Sequence, residues 1–258
     1  MTLDGEPGPG RSPRNGHAGW PAMGSVIAPW VALRVTLDGT PDAQSSYLRN
    51  IKEIDHAARE RALPLLTAHV RAPDGATRGF AALPAALVDA LRDAWPGARL
   101  HAVELCLSPY TAIGCLATEL PMVRLSHRFE FSAAHRLHNE QLDDETNRRT
   151  FGKCNNPHGH GHNYELQVTV TGAPDASGVL IALPELERIV QESAVEPFDH
   201  KHLNVEVPEF CSGGLNPSVE NIAMVLYRRL KPRFSQSRAG LASVTVWETP
   251  KTWCEYSE

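Results

Sequence analysis

Cys154-Asn155-Asn156-Pro157-His158-Gly159-His160-Gly161-His162-Asn163-Tyr164 runs straight into Glu165-Leu166-Gln167-Val168-Thr169-Val170-Thr171. Tyr164, Leu166, Val168 and Val170 alternate with polar residues, the period of a half-buried β-strand. Extended backward, that parity takes in His162 and His160. Two imidazoles at i and i+2 leave one face of a strand, close enough to share a metal ion, and Gly161 between them adds no bulk.

A pair of histidines is not a metal site, because zinc takes three protein ligands in a catalytic centre and four in a closed structural one. The best third donor is His135. It follows Arg124–Phe131, where Leu125, His127, Phe129 and Phe131 again alternate with polar residues. If the two strands pair antiparallel, His135 arrives beside His160 and His162, and three neutral imidazoles leave one position open. The competing reading is an ordinary polar cluster. His158 shares the spacing but fits a loop position or a secondary substrate contact, with a shifted pair of His158 and His160 as the variant reading. Cys154 is either a small buried hydrophobe or, with Lys153 beside it favouring the thiolate, a proton acceptor.

Four blocks carry a resemblance: Phe131-Ser132-Ala133-Ala134-His135-Arg136-Leu137, Phe151-Gly152-Lys153-Cys154 through Tyr164, Asp199-His200-Lys201, and Val246-Trp247-Glu248-Thr249. In order and spacing they resemble the 6-pyruvoyl-tetrahydropterin synthase and 6-carboxytetrahydropterin synthase family from about residue 123 onward. The resemblance implies an α+β T-fold (tunnelling fold), an antiparallel sheet with two helices on one face, assembled from several subunits around a barrel. It implies Zn2+ on His135, His160 and His162, Cys154 as general base, and Asp199 with His200 as a proton relay. Glu248 would accept the paired donors of a pterin ring, a structural salt bridge being its alternative. Ser218 and Glu220 match a second region of the pterin pocket.

The implied reaction converts 7,8-dihydroneopterin triphosphate to 6-pyruvoyl-tetrahydropterin with loss of triphosphate. Six positions separate Cys154 from His160, the longer spacing of the pyruvoyl enzymes. Counted to His158, the spacing matches the carboxy enzymes, which release a two-carbon fragment and make the 7-deazaguanine (queuosine) precursor. A third reading is a non-catalytic, zinc-bound oligomeric scaffold.

At 258 residues with 42% hydrophobic content, the chain has room for two ordinary cores. A net charge of −5 and the lack of a Lys/Arg-rich run argue against nucleic acid, and no apolar stretch is long enough to span a membrane. Five scattered cysteines without a C-x-x-C pair fit a reduced cytoplasmic setting. Residues 1–24, rich in Gly, Pro, Arg and Asn, read as a disordered tail. The apolar run at 26–35 lacks the flanks of a signal peptide.

The first half echoes the second. Leu33-Arg34-Val35-Thr36-Leu37-Asp38-Gly39-Thr40-Pro41-Asp42-Ala43 parallels Leu166 to Ala176. Pro64 and His69 fall opposite Pro197 and His202, and Ala102 to Pro109 parallels Ser243 to Pro250. Residues 25–122 are therefore expected to be a diverged copy of the catalytic unit at 123–258. Ile27 and Pro29 stand opposite His160 and His162, Leu66 and Thr67 opposite Asp199 and His200, and Leu107 opposite Glu248, so the copy keeps no ligand. Two copies per chain suggest a homo-oligomer of fewer chains, a trimer imitating a hexamer. In the second half, helices are expected over Leu183–Glu192, with Pro184 near its start, and over Val219–Leu230, with Ser218 as N-cap.

Overall fold

A computed structural model describes residues 31–72 and 79–258. The expected tail at 1–24, together with Ile27 and Pro29, lies outside the described residues. The chain divides into two compact units. The first comprises the described residues up to Leu125 and the segment Gly172–Leu180, and the second comprises Ser126–Thr171 and Ile181–Glu258.

In the first unit, β1 (Ala32–Asp38) leads into α1 (Ile51–Ala57), whose N-cap Asn50 accepts from the Lys52 N–H. A π-helical turn at Ala58–Ala62 joins α1 to α2 (Leu63–Arg71). Helix α3 (Leu83–Leu91) buries Leu83, Leu87, Val88 and Leu91 and packs on β2 (Arg99–Cys106), which is followed by β3 (Thr111–Leu116). Strand β2 pairs antiparallel with both β1 and β3. The segment 172–180 is bound into this unit by its backbone, where the carbonyls of Ser177 and Gly178 accept from the N–H groups of Gly79 and Ala81. The two units divide at 125/126, and the segment 172–180, although within 123–258, groups with the first.

The second unit begins within β4 (Val123–His135), which lies beside β5 (His160–Gly172). Facing pairs Ser126 with Thr169, Arg128 with Gln167, Ser132 with Asn163 and His135 with His160 run in opposite directions along the two strands. The antiparallel pairing expected from the alternation is therefore present. Both strands are longer than the alternation alone marked. His135 is the last residue of β4, and His160 is the first of β5. Helix α4 (Asp144–Phe151) lies in the connection, with Asp143 as its N-cap.

After β5, α5 (Leu183–Val190) buries Leu186, Ile189 and Val190, and its last expected turn is a π-helical one at Gln191–Val195. A short strand, β6 (Lys201–His202), pairs parallel with Ala133 and Ala134 of β4 and leads into α6 (Leu203–Glu206). Helix α7 (Val219–Leu230) has the expected bounds, and the Ser218 hydroxyl accepts from the Asn221 N–H. Its stripe of Ile222, Val225, Leu226 and Leu230 is buried against β7 (Gly240–Thr249) and β8 (Thr252–Tyr256). Each such side chain contributes about 1.5–3 kcal/mol by leaving water.

The strands within each unit share a detail. The β1–β2 register shifts between Thr36 and Leu37, after the pair Thr36 with Ala102. The β5–β7 register shifts between Thr169 and Val170, after the pair Thr169 with Ser243. These are the positions that the echoed sequence blocks align. The middle block does not follow: Pro64, Leu66, Thr67 and His69 lie inside α2, whereas Pro197, Asp199, His200 and His202 lie in a turn and β6.

Candidate active site

The histidines meet where β4 ends and β5 starts. Strand parity turns His160 and His162 to the face that carries buried Tyr164, Leu166, Val168 and Val170. His135 is fully buried and reaches the same point. Ring centroids lie 4.5 Å apart for His135 and His160, 5.2 Å for His135 and His162, and 4.8 Å for His160 and His162. Tyr164 stacks on Phe131 at 4.9 Å beneath them.

Backbone contacts hold this corner. Gly159 enters β5 at φ +72°, and a Cβ there would come within 2.9 Å of both the His135 carbonyl oxygen and His202 Nε2. Only glycine combines that backbone with that approach. Beyond His135 the chain is clamped by side-chain amides. Asn204 bonds both the N–H and the carbonyl of Arg136, Asn155 donates to the Leu137 carbonyl, and Asn216 accepts from the His138 N–H. The Leu137 N–H donates to the Cys154 carbonyl at 2.8 Å, which ties the cysteine turn to the ligand strand.

The electron pairs at the cluster point to a cation. His135 Nδ1 lies 2.7 Å from the Pro217 carbonyl oxygen, which accepts and cannot donate, so Nδ1 carries a proton and in the neutral ring Nε2 presents a lone pair. That Nε2 lies 3.2 Å from His160 Nε2 and 3.2 Å from Glu248 Oε1, which is also 3.3 Å from His162 Nε2. Four donor atoms, one each from His135, His160, His162 and Glu248, lie within 4.8 Å of one another. Ligands at 2.0–2.1 Å from a tetrahedral ion stand roughly 3.3 Å apart. The set therefore fits a metal ion, and the Pro217 carbonyl supplies the outer hydrogen bond that orients a ligating histidine. Burial, with the neighbouring imidazoles, lowers the pKa of His160, and burial lowers that of His162, so both favour the neutral, ligating form.

Glu248 reaches the cluster through a bulge. Trp247 pairs with Trp253 and Thr249 with Thr252, which leaves Glu248 unpaired between them and turned inward on the side of Val244 and Val246. Strand parity was the signal that could have placed it here.

Cys154 sits in a short 3-10 turn at the edge of the cluster. Burial and then the charge of Glu248 raise its thiol pKa, the reverse of the shift expected from Lys153. The Lys153 side chain is exposed, so water screens it. His158 is exposed in the turn before β5 and takes no part in the cluster, so the shifted pair of His158 and His160 does not form.

Asp199 and His200 lie along the edge of β4. The Ser132 N–H donates to Asp199 Oδ1 at 2.8 Å, the His200 N–H donates to the Ser132 carbonyl at 2.6 Å, and His200 Nδ1 lies 2.8 Å from Asp199 Oδ2. The Ser132 N–H, then His200, lowers the Asp199 pKa. His200 adopts φ +57°, a strained value for a non-glycine residue, and its side chain is 83% exposed. A pocket of about 600 Å³, lined by Ser132, Ala134, Gly161, Asn163, His200 and Glu206, opens beside it. Among the described residues no hydrogen bond or ion pair joins this pair to Cys154. Ser218 caps α7, and Glu220 is exposed in its first turn.

Comparison with known proteins covers this half of the chain. The family model of 6-pyruvoyl tetrahydropterin synthase matches residues 124–258. The 6-pyruvoyl tetrahydrobiopterin synthase of Homo sapiens is 43% identical over 109 residues, 42% of this chain and 74% of that protein. The 6-carboxy-5,6,7,8-tetrahydropterin synthase of Haemophilus influenzae is 29% identical over 156 residues, 53% of this chain and 100% of that protein. The structure of Caenorhabditis elegans 6-pyruvoyl tetrahydropterin synthase superposes with a TM-score of 0.50 at 38% identity, covering 54% of this chain and 96% of that one. With the model matching more than half of its residues and the T-fold shared, the chain belongs to the 6-pyruvoyl tetrahydropterin synthase family.

Proposed function

We propose that this protein is a zinc-dependent lyase that converts 7,8-dihydroneopterin triphosphate to 6-pyruvoyl-tetrahydropterin. The observation that carries the reading is the convergence of three imidazoles beside a cysteine. His135, His160 and His162 would hold the ion. When bound, zinc would polarise the side-chain hydroxyls of the substrate, acidify the adjacent C–H bonds and offset the effect of Glu248 on the Cys154 thiol.

Cys154 takes the carbon-bound proton, and His200, held by Asp199, returns one at another carbon. Triphosphate leaves as the side-chain carbinols become carbonyls and the dihydropterin ring becomes tetrahydro. Electrons are thus exchanged within the substrate, and no external redox partner is required. Glu248, Glu220 and Ser218 are the groups offered to the pterin. Because Asp199 and His200 sit at a sheet edge without a link to Cys154, the relay is completed by a second copy of the chain, as befits a homo-oligomer.

The spacing from Cys154 to His160 and the higher identity to the human enzyme support the pyruvoyl product. Incubating zinc-loaded protein with dihydroneopterin triphosphate tests this. Triphosphate and the pyruvoyl pterin are expected. Acetaldehyde release would support the 6-carboxytetrahydropterin reaction, which the Haemophilus likeness favours, and no turnover would support the scaffold. Mixing the inactive variants Cys154→Ala and His200→Ala is expected to restore part of the activity. No recovery after subunit exchange would sink the shared site.

A further inference from the structure

We infer that Glu248 is a displaceable fourth ligand of the histidine-bound metal, closing its open position until a substrate oxygen takes it. The inference rests on the metal-centre reading above. Its side chain is 16% exposed, and its ion-pair partners among the described residues are His135 and His162, not an arginine or lysine. With Nδ1 bonded to the Pro217 carbonyl, a neutral His135 ring turns its Nε2 lone pair to Glu248 Oε1 at 3.2 Å. His162 Nε2, 3.3 Å from the same oxygen, is buried and has no hydrogen-bond partner. Imidazole lone pairs gathered against a carboxylate in this way repel it unless a cation lies between them.

A carboxylate that served only as an outer support would accept from the far N–H of a ligating ring. For His135 that role belongs to Pro217. Glu248 instead approaches the ligating side of both rings. Strand parity with Val244 and Val246 turns it there, and the bulge in β7 leaves residue 248 without a partner across the β7–β8 ladder. When a substrate hydroxyl enters, the metal–carboxylate bond breaks, the metal–hydroxyl bond forms, and the freed carboxylate can accept a hydrogen bond from the incoming molecule.

Cobalt(II) in place of zinc makes the centre visible. The cobalt-loaded full chain and its Glu248→Ala and Glu248→Gln variants would be titrated at pH 8 with imidazole, a neutral ligand that does not sense the lost charge. Imidazole is expected to change the cobalt absorption of Glu248→Ala at a concentration at least about tenfold lower than for the native chain, with Glu248→Gln closer to Glu248→Ala. Equal midpoints would overturn the inference. Water-proton relaxation gives a second measurement on the native chain alone. No inner-sphere water is expected, and a full inner-sphere enhancement would overturn the inference even if the variants failed to fold. A native chain that binds no cobalt would instead overturn the metal-centre reading.

Discussion

At the scale of single residues, two substitutions separate metal holding from proton transfer. His160→Ala should lower bound zinc from one per chain to near zero by elemental analysis after gel filtration, because it removes a nitrogen 3.2 Å from its partner. Cys154→Ala should leave zinc content unchanged and lower kcat by roughly 10²–10⁴, the usual contribution of a positioned base. His127 carries a pH dependence. Burial holds its imidazole below the ordinary value of 6.5, with Glu187 opposing, so folding favours the neutral ring. Its contribution is present above about pH 6.5 and lost as pH falls below it. The melting temperature should therefore drop less between pH 7.5 and 5.5 for His127→Gln than for the native chain. An unchanged slope would refute the assignment.

At the scale of elements, α7 and the turn before it link stability to the site. Ser218→Ala removes the cap of α7 and should cost about 1 kcal/mol. The same turn carries the Pro217 carbonyl that orients His135, so zinc affinity should fall along with the melting temperature. A stability loss with unchanged affinity would separate the two roles. Much of this was legible beforehand. Val219–Leu230 follows from its stripe and cap, and the histidine face of β5 follows from parity. Helix α4, β6 and β8 did not follow. Lys201–His202 is too short for a pattern, and Asp144–Phe151 is so polar that only its cap marks it as a helix. The last turn of α5 widens to π-helical geometry, which no spacing in Leu183–Glu192 announces.

At the scale of the whole molecule, the family model begins at residue 124, so most of the first unit lies outside the stretch that it matches. The strand echoes and the register shifts at Thr36 and Thr169 support reading it as a diverged copy of the second, although the helical block between them has not kept its form. On that reading the native protein should bind one zinc per 258-residue chain. Removing residues up to Pro121 should reduce oligomer size or solubility on gel filtration with light scattering while zinc per chain stays at one. An unchanged oligomer after truncation would refute a role of the first unit in assembly.

The sequence by itself determined the strands that carry the ligands, the face they turn, and the family, because period-2 alternation and ordered motif blocks are local properties of the chain. Only the tertiary structure decided what surrounds the nitrogens. It brought Pro217, 82 positions from His135, to orient that ring, set Glu248 3.2 Å from His135, left His158 in solvent and bonded Asp199 and His200 to Ser132 of β4. Those outcomes depend on register and on contacts between distant segments, which no spacing along the chain specifies.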